Sequence, residues 1–235
     1  MKTVITDIRI DAECEKNLKE RGFDVLKLPM STVLQAPVSA HPDMVIFIGK
    51  GKLICHGSYY NAAKETLELI AERGGFDIIL SDEPWESEYP RDVLFNAATV
   101  GNKLVCRKRS ASILMLDLFG DENIVDVKQG YAKCSMCTVG ENGVITRDRS
   151  IAEALKSTDI DLLLIENDNT LLSGYNCGFI GGASGDDGEN VYFCGNIDLH
   201  PEADRIKKFC LKHNRTPISL SSAPLYDYGT LMFIG

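Results

Sequence analysis

The chain is poor in several things that would mark a function. It has no long uninterrupted apolar run, a single tryptophan, four histidines and fewer basic than acidic residues. Without about 18 or more consecutive apolar residues it offers no helical membrane span. Lys and Arg number 25 against 34 Asp and Glu, for a net charge of −9 and a pI near 5.0. That balance disfavours charge-driven binding to nucleic acid or to an anionic membrane. The one basic run, Arg107-Lys108-Arg109, reads as a strand end. The first eleven residues carry Lys2, Asp7, Arg9 and Asp11 and lack the uncharged core of a secretory leader, so cytoplasmic residence is expected. Eight cysteines are scattered between Cys14 and Cys210 without a disulfide-like spacing and read as free thiols packing as small hydrophobes. What is abundant is apolar content, 44% over 235 residues, enough for one domain, 1–235, with a substantial core.

The apolar residues recur in a pattern. Five short stretches end in a small sulfur or hydroxyl residue: Val4-Ile5-Thr6, Leu53-Ile54-Cys55, Leu104-Val105-Cys106, Val144-Ile145-Thr146 and Tyr192-Phe193-Cys194. Their last residues lie 49, 51, 40 and 48 apart, and 47 more residues lead from Cys194 through the C-terminus back to Thr6. A near-constant period that also closes across the termini points to a ring of five units. Turn residues precede four of the markers: Gly49-Lys50-Gly51, Gly101-Asn102, Glu141-Asn142-Gly143 and Asp187-Gly188. Such residues tolerate the positive φ of a hairpin turn, so a strand is expected before each.

After each marker comes a helical stripe. Cys14 and Leu18 share a face before Gly22; Ala63, Leu67 and Ile70 before Gly74-Gly75; then Ile151 with Leu155, and Ala203 with Ile206 and Cys210. Residues 110–119 supply a more apolar third helix. A second strand closes each unit, at 24–28, 76–80, 124–127, 161–165 and 217–220. The first unit lacks a leading strand at the N-terminus, and residues 225–234 can provide it. The fold class expected is therefore α/β: a five-fold pseudosymmetric α/β propeller of ββαβ units, closed by pairing of the N- and C-terminal strands. An α/β sandwich of unrelated βαβ units is the competing reading.

Five such units in a clasped ring resemble the pentein fold of arginine and agmatine deiminases, dimethylarginine dimethylaminohydrolase and amidinotransferases. The local match is Trp85-Glu86-Ser87-Glu88-Tyr89-Pro90-Arg91-Asp92, followed by an expected strand over 93–100. It resembles the Trp…Arg-Asp segment in which agmatine deiminases place an acidic residue at the ring centre. The chain also resembles a bacterial branch of this fold with no assigned activity. The resemblance implies a pocket for a small guanidino or amidino cation, with hydrolase or amidinotransferase-like chemistry. It also implies a nucleophilic cysteine on the final strand and a histidine on a middle unit. Here residues 227–232 contain no cysteine, and none of His41, His56, His200 or His213 begins the fourth or fifth leading strand. One branch of the fold, a ribosome anti-association factor, is not catalytic. A noncatalytic protein that binds a metabolite or a protein partner is thus the alternative function.

If the units are related by rotation, the loops leading into the five central strands gather at one end. Asp92 is the first candidate there, both for catalysis and as a guanidinium partner through paired charged hydrogen bonds; an ion pair with Arg91 or a loop cap is the plain alternative. Asp43 and Asp227 occupy comparable positions. The echo between Gly130-Tyr131-Ala132-Lys133-Cys134 and Gly174-Tyr175-Asn176-Cys177 places Cys134 and Cys177 at similar depth, as candidate nucleophiles. Lys133 would depress the thiol pKa, whereas buried inert thiols are the bland reading. Lys133, Asn176 and Trp85 complete the candidate ligand contacts, Trp85 as a lid or as a loop anchor. Cys134-Ser135-Met136-Cys137 spells CxxC, but on a strand its two thiols face opposite sides and no further ligands stand near in sequence, so no metal site is expected. The glycine-dense stretch 178–185 is no nucleotide fingerprint; it reads either as crowding at the axis or as a substrate floor. His200, before Pro201, reads as a surface or cap residue. No cofactor is implied.

Overall fold

The computed structural model describes residues 2–235. The chain opens on β1 (Thr3–Asp7), α1 (Ala12–Glu20) and β2 (Asp24–Leu28). The second unit runs through a short helix α2 (Pro42–Val45) into β3 (Ile46–Gly49), β4 (Lys52–His56), α3 (Gly57–Gly74) and β5 (Asp77–Ser81). The third comprises β6 (Ala98–Val100), β7 (Lys103–Cys106), α4 (Ile113–Phe119) and β8 (Ile124–Asp126). The fourth is β9 (Cys137–Val139), β10 (Gly143–Thr146), α5 (Arg149–Leu155) and β11 (Asp161–Leu164). The fifth is β12 (Ser184–Asp186), β13 (Asn190–Phe193), α6 (Ala203–Lys212) and β14 (Thr216–Ser219), after which β15 (Met232–Ile234) ends the chain.

These elements make five three-stranded sheets of one design. Each apolar marker stretch forms the middle strand, antiparallel to the leading strand and parallel to the closing one. The first unit borrows its leading strand from the far end of the chain, with Thr3 opposite Ile234, Val4 opposite Phe233 and Ile5 opposite Met232. That pairing is the clasp expected from the period. The helices start where side chains can satisfy their free N–H groups: Asp11, Ser112 and Asp148 accept from the first-turn amides of α1, α4 and α5. Their apolar faces pack on the sheets, and α3 also lies against β2 of the preceding unit, so the core runs between neighbouring units. Among the described residues no helix is long and apolar enough to cross a membrane.

Two expected strands are shorter. Residues 93–97 form a turn rather than the start of β6, and Cys134 lies in a turn, not on a strand with Cys137. In both places side-chain hydrogen bonds replace the ladder: Asn96 Oδ1 accepts from the amides of Lys133 and Cys134, tying the two turns together.

Leu67 on α3 is fully buried and Leu80 on β5 is 48% exposed. Leu67→Ala is expected to cost roughly 2–5 kcal/mol in urea unfolding, and Leu80→Ala within about 0.5 kcal/mol of zero. Equal costs would show that the core does not lie where the helix faces place it.

Candidate functional site

Because middle and closing strands are parallel in every unit, all five return loops leave from one end of the ring. Each then dives toward the axis to begin the next leading strand. Five segments meet there: 41–43 through α2, the turn 91–97, the turn 131–135, 178–183, and 227–231. The glycines at this crossing answer a packing need. A Cβ on Gly182 would stand 1.9 Å from Asp227 Oδ1, and one on Gly229, at φ +71°, would stand 2.1 Å from His41 Cβ. Crowding at the axis therefore accounts for the glycine-dense stretch.

Asp227 and His41 are the centre of the loop end. Asp227 is 1% exposed; its Oδ2 accepts from the amide of Phe179 at 3.0 Å and its Oδ1 from that of Gly229 at 2.9 Å. His41 Nδ1 lies 3.7 Å from Asp227 Oδ1, while Nε2 lies 3.9 Å from Asp7 Oδ2. Asp7 in turn is gripped by the Arg9 guanidinium, whose Nε donates to Oδ1 at 2.8 Å. Burial pushes the Asp227 carboxyl up to about 6, against the pull of His41 and with the help of the Asp43 charge. A cavity of about 260 Å³ opens beside this group, lined by Asp7, Arg9, His41, Tyr226, Asp227 and Tyr228.

Deeper on the axis stands a second group. Thr230 has φ +77°, a costly conformation for a β-branched residue. Three contacts hold it: its amide donates to Gly182 O at 2.8 Å, and its hydroxyl lies 2.9 Å from Asp43 Oδ2 and 3.0 Å from Gly181 O. Asp43 Oδ1 is buried without a hydrogen bond. Asn96 Nδ2 donates to Cys134 Sγ at 3.0 Å and to the Asp43 carbonyl at 3.1 Å. Lys133 is half-buried and forms no ion pair among the described residues, and desolvation lowers its amine below the ordinary lysine value.

Asp92 forms a third group. It is 4% exposed and accepts from the Tyr131 hydroxyl through Oδ2, while Oδ1 is buried and unpartnered. Arg91, its neighbour, pairs instead with Glu86. Burial raises the Asp92 carboxyl, opposed by the Tyr131 hydrogen bond and by the nearby amides of Asp92 and Val93. The Tyr131 ring is stacked on Tyr89 at 5.8 Å between centroids and on Phe179 at 6.2 Å.

The other candidates fall elsewhere. Trp85 is a core anchor and not a lid: it is 7% exposed and packs on His56, Tyr59 and Phe95. Cys134 and Cys177 do not share a depth. Cys134 is buried, and burial together with the charges of Asp43 and Asp227 holds its thiol well above the usual range. Lys133 thus does not make it a low-pKa thiol, because burial, with the two carboxylates added to it, disfavours the thiolate. Cys177 is half-exposed, its sulfur 3.5 Å from Arg147. Asn176 is exposed on the same loop. His200 is buried, not at the surface; Nδ1 accepts from the Glu202 amide at 3.0 Å and Nε2 lies 3.8 Å from Asp168. Sequence reading gave no role to Asp7, Asn96 or Thr230, and none to His41, although His41-Pro42-Asp43 is one of the segments it expects to line the central end; the others are ordinary polar residues until the ring closes.

Two measurements check this site. In a carboxyl-carbon NMR titration Asp227 is expected to titrate near pH 6. Since that value lies above its unfolded one, the fold favours the protonated form: the associated stability is full below about pH 4 and lost as pH rises through 6. The loss is at most about 3 kcal/mol, and urea unfolding of Asp227→Asn should lack it. A midpoint below 4.5 overturns the assignment. With iodoacetamide on the native protein, Cys177 is expected to react first of the eight thiols and Cys134 to stay unmodified; fast labelling of Cys134 contradicts the burial described.

Known proteins were compared with this geometry in view. No curated protein matches the sequence. Solved structures do match in fold. Dimethylarginine dimethylaminohydrolase gives a TM-score of 0.56 at 10% identity, covering 94% of this chain and 92% of that one. The amidinotransferase SxtG from Microseira wollei gives 0.57 at 12%, covering 93% and 88%. The agmatine deiminase of C. jejuni gives 0.55 at 12%, covering 99% and 81%. The ring of five sheets is thus the pentein fold. The family model that matches spans residues 5–232, and the chain accordingly belongs to DUF6873, a family of unknown function.

Proposed function

We propose that this protein binds a small guanidino or amidino cation at the loop end of the ring, with Asp92 as its main partner and Asp227 as a second. The observation that carries the reading is the buried Oδ1 of Asp92, which has no hydrogen bond among the described residues, on a carboxylate whose other oxygen accepts from Tyr131, a ring stacked on Tyr89 and Phe179. A buried carboxylate oxygen without a donor costs free energy that a cationic donor would recover. A planar guanidinium can bond the carboxylate and face an aromatic ring at once. The segment 170–178 lies across this end: Ser173 N bonds the Tyr226 hydroxyl at 3.1 Å and the Tyr175 hydroxyl lies 3.4 Å from Gln35. The solved relatives, a dimethylarginine dimethylaminohydrolase, an amidinotransferase and an agmatine deiminase, are named for work on the same chemical group. Eight cysteines, none in a disulfide, fit the reducing cytoplasm.

A hydrolase-like step is the second reading, favoured by the contacts of Cys134 with the Asn96 amide and the Asp43 carboxyl. In the free protein the thiol is held neutral. A bound cation opposes the two carboxylate charges and would ease loss of the proton to Asp43. Binding without turnover leaves the noncatalytic alternative.

Calorimetric titration with agmatine, arginine and methylguanidine tests the proposal, with released ammonia or amine read in parallel. At least one compound is expected to bind, more tightly as pH rises, because protonated Asp92 loses its acceptor. Asp92→Asn should weaken binding tenfold or more and Trp85→Phe less than twofold. No binding by any compound, or equal affinity in Asp92→Asn, overturns the proposal.

A further inference from the structure

The loop-end groups leave one cavity on the axis unused. Below Asp43 a cavity of about 270 Å³ runs between the leading strands, with all five contributing to its wall. Its floor is Asp43, Lys133 and Thr230, the residues nearest the loop end. Along its sides stand Phe47, Phe95, Leu231 and Met232. Farther along the same strands come Thr99, which is exposed, and Asp186, close to the hairpin turns. The cavity therefore meets solvent at the end of the ring opposite the return loops. Its volume is that of about nine liquid waters.

Two charged groups on this floor keep unmet bonding capacity. Asp43 is 1% exposed, and its Oδ1 has no hydrogen bond although Oδ2 is engaged by Thr230. Among the described residues Lys133 makes no ion pair, although the Asp43 charge, acting from farther off, opposes the desolvation of its amine. A buried acceptor and an unpaired amine, held apart at the closed end of an apolar-walled channel, match a ligand that carries a donor and an anion a few ångströms apart. We propose that this axial cavity is a second ligand site, taking a small zwitterion of the α-amino-acid class. The ligand ammonium bonds Asp43 and its carboxylate bonds Lys133. Its short apolar side chain lies against Phe47 and Met232. A ligand carboxylate also offsets the desolvation that depresses the Lys133 amine, since an opposite charge favours the ammonium form. The apolar wall disfavours long charged side chains, which separates this site from the cation site at the other end.

The ε-methyl resonance of Met232, assigned with Met232→Leu, reports on the cavity wall directly. Alanine, aminobutyrate and valine are titrated against the intact protein, beside alaninamide, which lacks the carboxylate, and N-acetylalanine, which lacks the ammonium. At least one free amino acid is expected to shift the Met232 signal saturably, and both blocked forms to bind at least tenfold more weakly. Lys133→Met and Asp43→Asn should each lose tenfold or more. Because those changes touch the axis, Thr99→Trp provides an independent check from the exposed rim, and should abolish the shift while the fold persists. Asp92→Asn should leave it unchanged, so failure of the guanidino reading and failure of this one are separable. The proposal is overturned if no free amino acid gives a saturable shift, if a blocked form binds as well as its parent, or if Thr99→Trp binds normally.

Discussion

Where residues 227–231 cross Gly182, backbone lies against backbone. The Gly182 carbonyl accepts from the amides of both Tyr228 and Thr230, and its own amide donates to Cys134 O at 2.9 Å. No side chain fits between these segments, since the room a methyl group would need is taken by the Asp227 carboxylate. This crossing carries the C-terminal segment across the axis and delivers β15 to β1, so closure of the ring depends on it. It also sets the positions of Asp227 and Thr230, and through them the environment of His41 and Asp43. The φ of +77° at Thr230 is the local strain that the crossing imposes.

The consequence is an axis loaded with acid. Asp7, Asp43, Asp92 and Asp227 are each less than 5% exposed, and only Asp7 is matched by a guanidinium, that of Arg9. His41 stands between two of them, and Lys133 faces a third across the cavity. Burying carboxylates without matching cations costs free energy, which appears in the raised values of Asp92 and Asp227. A fold held only for stability would not gather such groups where its five units meet. Burial, with the charges of Asp43 and Asp227, holds the Cys134 thiol neutral, so the arrangement suits capture of a cation before any nucleophilic step.

The two ends of the ring differ in character for a topological reason. Return loops are long and can carry Asp92, His41 and the aromatic stack around Tyr131. The hairpin turns are short and leave only strand side chains facing the axis, hence a channel with apolar sides and a floor of two charges. One fold thereby presents two chemically distinct concavities along a single line.

Much of this architecture was legible in the residues. The apolar markers and glycine-bearing turns located every middle strand, and the stripes through Leu18, Leu67, Ile151 and Ile206 located four helices; local propensity and burial demand the same element there. The return of the marker spacing across the termini announced the pairing of Thr3 with Ile234. Asp92 and Asp227 could be named because their loops had to reach the axis. Side-chain company was another matter. Trp85 reads as a lid until His56, Tyr59 and Phe95 enclose it, and Cys134 reads as reactive until Asp43 lies beside it. Asp43 and Thr230 are 187 residues apart in the chain and 2.9 Å apart in space. Short-range periodicity decides which segments become strands and helices and that they close in a ring. Which carboxylates are buried, which amine lacks a partner and which thiol stays neutral are settled only when distant segments meet, because desolvation and Coulomb interaction depend on distance in space and not along the chain.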